Sequence, residues 1–248
     1  PYQPLSTQLF IVYSNRYITI YTLIMTLIVS IVLAIVVTGL APMHGANEAV
    51  FKKREILGAI AGQLGQDLTK MKDDEVLVLF NERMEQVVLD AQGKPVEGVK
   101  AEEVDMAREE KKPQAERRYP LFIYKGEQDT IYLLSVRGNG LWDKIWSTVA
   151  LSSDLNTIIG TSFGHVAETP GLGAEIKDNP NFPKQFEGKK IFKGDQYVSV
   201  VPVKGGVKDK EHQVDAISGA TITSVGVANM MQHGIEAYLP YFETLKKK

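Results

Sequence analysis

The chain contains no cysteine. That absence excludes disulfides, thiolate nucleophiles, and zinc or iron–sulfur sites held by cysteine. Any redox chemistry must therefore come from an organic cofactor or from a metal held without thiolates. Histidine is scarce too: His44, His165, His212 and His233 are the only four, and none belongs to an H-E-x-x-H or H-x-x-E-H pattern. A mononuclear metal centre is not expected from so dispersed a set. A basic excess is also missing, since 28 Lys and Arg stand against 30 Asp and Glu for a net charge of −2. Phosphate-backbone binding needs the opposite balance, so no nucleic-acid partner is expected.

Charge is likewise absent from one long stretch. Ile18 to Gly39 reads "ITIYTLIMTLIVSIVLAIVVTG" without a single charged residue. As a helix rising about 1.5 Å per residue it would cross the roughly 30 Å hydrocarbon core of a bilayer. A cleaved signal peptide usually has an apolar run of only about 7–15 residues, so the length favours a retained anchor in membrane lipid. Arg16 precedes the run, and Lys52, Lys53 and Arg54 follow it at the head of a long domain. Long domains translocate largely regardless of charge, so charge counting leaves the orientation open.

The remaining length suffices for one domain. "ANEAVFKKREILGAIAGQL" spaces Val50, Ile56, Leu57, Ile60 and Leu64 for one helix face, with 41–47 a candidate hinge before it, and Asp73–Met84 suits another helix. "EQVVLDAQGKPV" reads as a strand or hairpin, and charge-rich Ala101–Arg118 as a solvated helix or loop. Four strand signals follow, at Tyr119–Tyr124, Thr130–Val136, Ile145–Ser152 and Leu155–Gly164. Their connections are too short for crossover helices, which predicts antiparallel pairing. "YVSVVPV", Tyr197–Val203, reads as one more strand, and Val225, Ala228, Met231 and Ile235 show helical spacing from Thr221 onward. The expected class is α+β: an antiparallel sheet half-wrapped by helices and preceded by one transmembrane helix.

Four stretches carry candidate chemistry. "GTSFG", Gly160–Gly164, matches the nucleophile elbow G-x-S-x-G, which would make Ser162 a hydrolase nucleophile with Asp215 and His233 behind it. An elbow requires strand, sharp turn and helix, whereas Pro170, Gly171 and Gly173 soon follow here. "ETPGLGAEI", Glu168–Ile176, sets Gly171 and Gly173 around Leu172, so the backbone could approach a flat ligand closely while Leu172 offers it an apolar surface. "GNGLWDKIW", Gly138–Trp146, similarly joins glycines to Trp142. The fourth stretch is "DAISGATITS", Asp215–Ser224, with four hydroxyl side chains beside one carboxylate at the start of an expected helix. Ser218 and Thr221 could be plain N-caps, or the helix start could receive a phosphate on its free N–H groups.

The order D-A-I-S-G-A-T, Asp215–Thr221, resembles the flavinylation motif found in Na+-translocating NADH:quinone oxidoreductases and in the related Rnf electron-transfer complexes. "GNGLWDKI", "ETPGLGAEI" and the N-terminal anchor occur in that family's order, and the long insertion is more similar to the C subunit of the sodium pump than to the shorter Rnf G subunit. The resemblance implies FMN joined through its phosphate to Thr221 by a separate flavin transferase that uses FAD and Mg2+. It implies no catalytic acid–base set and no metal site in the chain itself.

By the same resemblance, Ser218, Gly219 and Ala220 would give the transferase access, Thr223 could touch the phosphate, and Asp215 would align Thr221 or contact the transferase's metal. Trp142 and Leu172 would lie against the isoalloxazine ring, with Glu168 and Thr169 at its polar edge and Gly171 and Gly173 permitting close approach. The implied organisation is an N-terminal arm 1–16, a transmembrane helix 17–40 and a periplasmic FMN-binding domain 41–248 on a bacterial inner membrane. The implied function is a one-electron relay working with the other pump subunits. An Rnf-type G subunit, a flavin-free membrane-anchored binding module and a Ser162 hydrolase remain the alternatives.

Overall fold

A computed structural model describes residues 14–126 and 129–246. The expected arm 1–16 therefore lies almost wholly outside the described residues. The chain divides into two compact units, the second beginning at Val50.

Helix α1 runs Asn15–Gly58, and among the described residues it is the one helix long and apolar enough to cross a membrane. Its large side chains from Tyr17 to Leu40 are exposed, the reverse of what a core helix shows. The sequence suggested a separate helix after a hinge at 41–47, but α1 continues through that segment with Pro42 inside it. Proline removes one i→i−4 hydrogen bond, and the immediately adjoining Leu40, Ala41 and Met43 are good helix formers.

The second unit is built on a five-stranded antiparallel sheet in the order β1(Met84–Leu89), β2(Tyr119–Lys125), β3(Thr130–Asn139), β4(Lys144–Leu151), β5(Ile158–His165). Each strand pairs with its sequence neighbour; from β2 to β5 the connections are too short for crossovers, whereas residues 90–118 form a long connection between β1 and β2. Both faces are buried. Leu121, Leu134, Val136, Ile145 and Val149 join one core, whereas the alternating Phe122, Leu133 and Ala150 join the other. Burial of both faces explains why "YPLFIY" reads as a continuous apolar run instead of alternating.

Helix α2(Asp73–Arg83), the end of α1 and the turn after it cover one face through Leu57, Ile60, Val76 and Phe80. The charged segment before β2 holds α3(Met106–Glu109) between 3-10 turns, and it is less solvated than its composition suggested. Burial pushes the Glu109 carboxyl up, but hydrogen bonds from the Lys112 ammonium and the Arg118 N–H outweigh it and hold that carboxyl below its ordinary value. The other face of the sheet carries the short helices α4(Glu175–Asp178) and α5(Asn181–Lys184) and the long α6(Thr221–Glu236), followed by α7(Leu239–Lys246).

"YVSVVPV" is not one strand. Ser199 takes a φ of 60° and divides the stretch into β7(Gln196–Tyr197), which closes a hairpin with β6(Phe192–Lys193), and β8(Val201–Val203). Strand β8 pairs in parallel with β9(Gln213–Asp215), matching Val203 to Asp215. This small parallel ladder delivers the chain to the start of α6.

Helix α6 lies close on β3. A Cβ at Gly226 would collide with the Asn139 carbonyl oxygen, and one at Gly234 with the Val136 side chain. Alanine at 226 gains about 1 kcal/mol of helix propensity, but overpacking against a backbone oxygen costs about 1–3 kcal/mol. Gly226→Ala is therefore expected to lower the unfolding midpoint by a few degrees, roughly 2–4 °C per kcal/mol lost, read by calorimetry. An unchanged midpoint would mean that the helix is not seated there.

Candidate functional site

The start of α6 is the focus of the site. Gly219, at φ 77°, turns the chain, and Ala220 becomes the N-cap residue without any side-chain cap. This corrects the expectation that Ser218 or Thr221 caps the helix: the turn at Gly219 puts Thr221 one residue too late, at the first helical position. An uncapped 16-residue helix leaves its first-turn N–H groups available.

The four hydroxyls of "DAISGATITS" then separate into two pairs. Thr223 is 1% exposed and donates to Glu168 Oε2 at 2.6 Å. Ser224 is buried too, and its Oγ accepts from the Ile217 N–H at 3.2 Å. Ser218 is exposed and Thr221 half-buried, so their hydroxyls are the accessible two. Asp215 is exposed at the end of β9, with its N–H donating to Gln185 Oε1 at 2.8 Å.

Two loops flank this turn. In the β3–β4 connection the Gly140 N–H donates to the Asp143 carbonyl at 2.8 Å and presents Trp142, which is 68% exposed. The Trp142 indole N–H donates to Thr169 Oγ1 at 3.0 Å, and its main-chain N–H donates to Glu168 Oε1 at 3.0 Å. The second loop, 166–173, folds through N–H donation from Leu172 and Ala174 to the Thr169 carbonyl, with Gly171 at φ 74°. Leu172 is 42% exposed and leans on Gly219, where a Cβ would meet its Cδ2 at 2.9 Å.

Of the residues singled out in the sequence, Trp142, Thr169, Gly171, Leu172, Ser218 and Gly219 are thus exposed, Thr221 is half-buried, and Gly173, Ala220, Thr223 and Glu168 are buried. Glu168 turns its carboxylate inward and is 4% exposed. Sequence reasoning missed the link between Glu168 and Thr223, two residues far apart in the chain. It also missed the exposed apolar side chains Leu141, Val166, Ile222 and Val225 in these same segments.

The hydrolase reading of "GTSFG" fails on geometry. Ser162 lies inside β5, no helix follows it directly, and its hydroxyl donates to the Glu55 carbonyl at 2.8 Å. A Cβ at Gly160 would strike the Ala59 carbonyl oxygen and one at Gly164 the Trp146 indole. The glycines thus make room for the chain at the end of α1 and for an indole, not for a nucleophile elbow.

The same junction buries a carboxylate. Glu55 Oε2 accepts from the Trp146 indole N–H at 3.2 Å, while the buried Oε1 has no hydrogen-bond partner among the described residues. Burial raises its carboxyl above the ordinary 4.5, partly offset by the indole hydrogen bond and by Lys177 and Lys52. A raised acid favours folding at low pH, and the advantage is lost as pH climbs through the raised value. Glu55→Gln is accordingly expected to gain stability relative to the unsubstituted chain as pH rises above the ordinary carboxyl value of 4.5, measured by thermal melts at several pH values. A difference that does not vary with pH would refute this.

Residues 140–236, which span both loops and α6, match the family model described as the FMN-binding domain. The chain is 34% identical over 230 residues to the C subunit of the Na(+)-translocating NADH-quinone reductase of Neisseria meningitidis serogroup A, covering 85% of this chain and 86% of the relative. It is 35% identical over 232 residues to the corresponding protein of Pseudomonas aeruginosa, covering 81% and 85%. Among solved structures, the corresponding protein of Parabacteroides distasonis superposes with a TM-score of 0.72 at 33% identity, covering 82% of this chain and 96% of that one.

Proposed function

Because the chain belongs to the family of the C subunits of Na(+)-translocating NADH-quinone reductases, we propose that it is the part of such a pump that carries FMN esterified to Thr221. One observation carries the choice of residue. Of the four hydroxyls in the motif, Thr221 alone is both accessible and placed at the uncapped start of a long helix. Free N–H groups and the helix dipole favour a phosphate at that position.

The surrounding residues fit a tethered flavin. Ser218 and Gly219 are small and exposed, so a transferase can reach the Thr221 hydroxyl. In that reaction the threonine oxygen bonds to the FMN phosphorus of FAD as the pyrophosphate bond breaks, AMP leaves, and the hydroxyl proton goes to solvent or a transferase base. Asp215, exposed near the turn, aligns the motif or meets the transferase's metal during this step. Trp142 and Leu172 then present uncovered apolar faces to the ring, and the Trp142 indole holds the Thr169 hydroxyl at the edge of the same surface.

When bound, FMN supplies the electron-transfer chemistry, one electron at a time. The chain itself binds, orients and shields the cofactor, which is the protein's main lever on cofactor chemistry. In this reading residues 17–40 anchor the protein in the bacterial inner membrane and 41–248 lie on the periplasmic side, beside the other pump subunits. Full-length chain made together with the flavin transferase and exported should show yellow flavin fluorescence that stays with the polypeptide on a denaturing gel. Its absence under those conditions refutes the covalent attachment.

A further inference from the structure

We propose that Glu168 is a positioning residue: its buried carboxylate ties both loops beside the flavin ring to the helix turn that holds the tether, and so sets the ring's environment. The proposal rests on the reading that FMN is attached at Thr221.

Three segments meet at this side chain. Oε1 accepts the Trp142 main-chain N–H at 3.0 Å, and Oε2 accepts the Thr223 hydroxyl at 2.6 Å. The Glu168 N–H donates to His165 Nδ1 at 3.2 Å, which fastens the loop to the end of β5. Each tie lies close in sequence to a residue assigned to the flavin. Trp142 is itself a ring neighbour, Thr169 adjoins Glu168, and Thr223 sits two residues after the tether.

The backbone is built around the carboxylate. A Cβ at Gly140 would collide with Oε1 and one at Gly173 with Oε2. Gly140 of "GNGLW" and Gly173 of "ETPGLG" are thereby accounted for by a side chain from one of the two loops, without reference to any ligand, while Gly138 makes room for Met230 and Gly171 takes a left-handed φ of 74°. No ion pair to Glu168 occurs among the described residues. Its partners are directional N–H and O–H donors, which fix geometry more tightly than a diffuse ionic contact would. A buried carboxylate held this way is costly to place, and removing one donor leaves it strongly destabilised.

A carboxylate that only stabilised the loops would alter melting without altering the flavin. Full-length chain made with the transferase should therefore be compared as Glu168→Gln, Thr223→Val, the double variant and Thr223→Ser. All four are expected to retain the fluorescent band, since Thr221 and the exposed Ser218 and Gly219 before it are untouched. Glu168→Gln and Thr223→Val should each shift the visible circular dichroism and the midpoint potential of the bound flavin. The double variant should shift no further than the larger single, and Thr223→Ser, which keeps the donor, should match the unsubstituted chain. Flavin signals that do not move, or single effects that simply add, overturn the proposal.

A second measurement needs no flavin. In chain made without the transferase, exchange of the Trp142 amide hydrogen should quicken about tenfold or more in Glu168→Ala and measurably in Thr223→Val. Unchanged exchange also overturns the proposal. Absence of covalent flavin from the unsubstituted chain would instead refute the tether at Thr221, and the exchange result would still decide the role of Glu168.

Discussion

Thr221→Val is expected to abolish the covalent flavin band completely, whereas Thr223→Val keeps it. Valine at 221 preserves the shape of the side chain and deletes the one atom able to form the ester. The neighbouring Thr223 cannot substitute, because its hydroxyl is buried and already donated to Glu168 at 2.6 Å. A transferase would have to unwind the first turn of α6 to reach it. The measurement is in-gel fluorescence together with the intact mass of exported, transferase-matured chain. If Thr223→Val loses the band and Thr221→Val retains it, the attachment site moves two residues and the reading of the helix start is wrong.

The second large effect concerns what holds α6 in place. Tyr238, just beyond the helix, is fully buried, and its hydroxyl reaches the carbonyls of Pro120 on β2 and Ser135 on β3, each at 2.9 Å. Its ring also meets that of Tyr119 edge-on, with centroids 5.8 Å apart. Tyr238→Ala should cost about 3–5 kcal/mol, the range for deleting a buried aromatic ring. Tyr238→Phe keeps the ring and strands only the two carbonyls, for a loss of about 1–3 kcal/mol. Denaturant or thermal unfolding of the two variants separates packing from hydrogen bonding. Equal losses would show that the ring contributes nothing beyond its hydroxyl.

Much of this architecture was legible in the sequence. The membrane-length helix, the four successive antiparallel strands and the helix beginning at Thr221 all follow from local pattern, because period and turn chemistry act over a few residues. The errors share a cause. "YVSVVPV" looked like one strand because nothing local marks the left-handed backbone at Ser199, and pairing of β8 with β9 is decided by a distant segment. The expected cap failed for a similar reason. Which residue caps a helix depends on the turn before it, and Gly219 moved that turn by one position.

The hydroxyl cluster marks the boundary between the two kinds of information. By itself the sequence determined that four hydroxyls, a carboxylate and a glycine stand in an order resembling a flavin attachment motif, ahead of a helix and behind a membrane anchor. It could not rank the hydroxyls, since they differ little in local chemistry. Tertiary structure decided that ranking. Packing of α6 on β3 turns Thr223 and Ser224 inward, where burial obliges each hydroxyl to find a partner, and Glu168 and the Ile217 N–H supply them. Thr221, on the outward side of the same turn, is left accessible because none of the described elements packs fully over it.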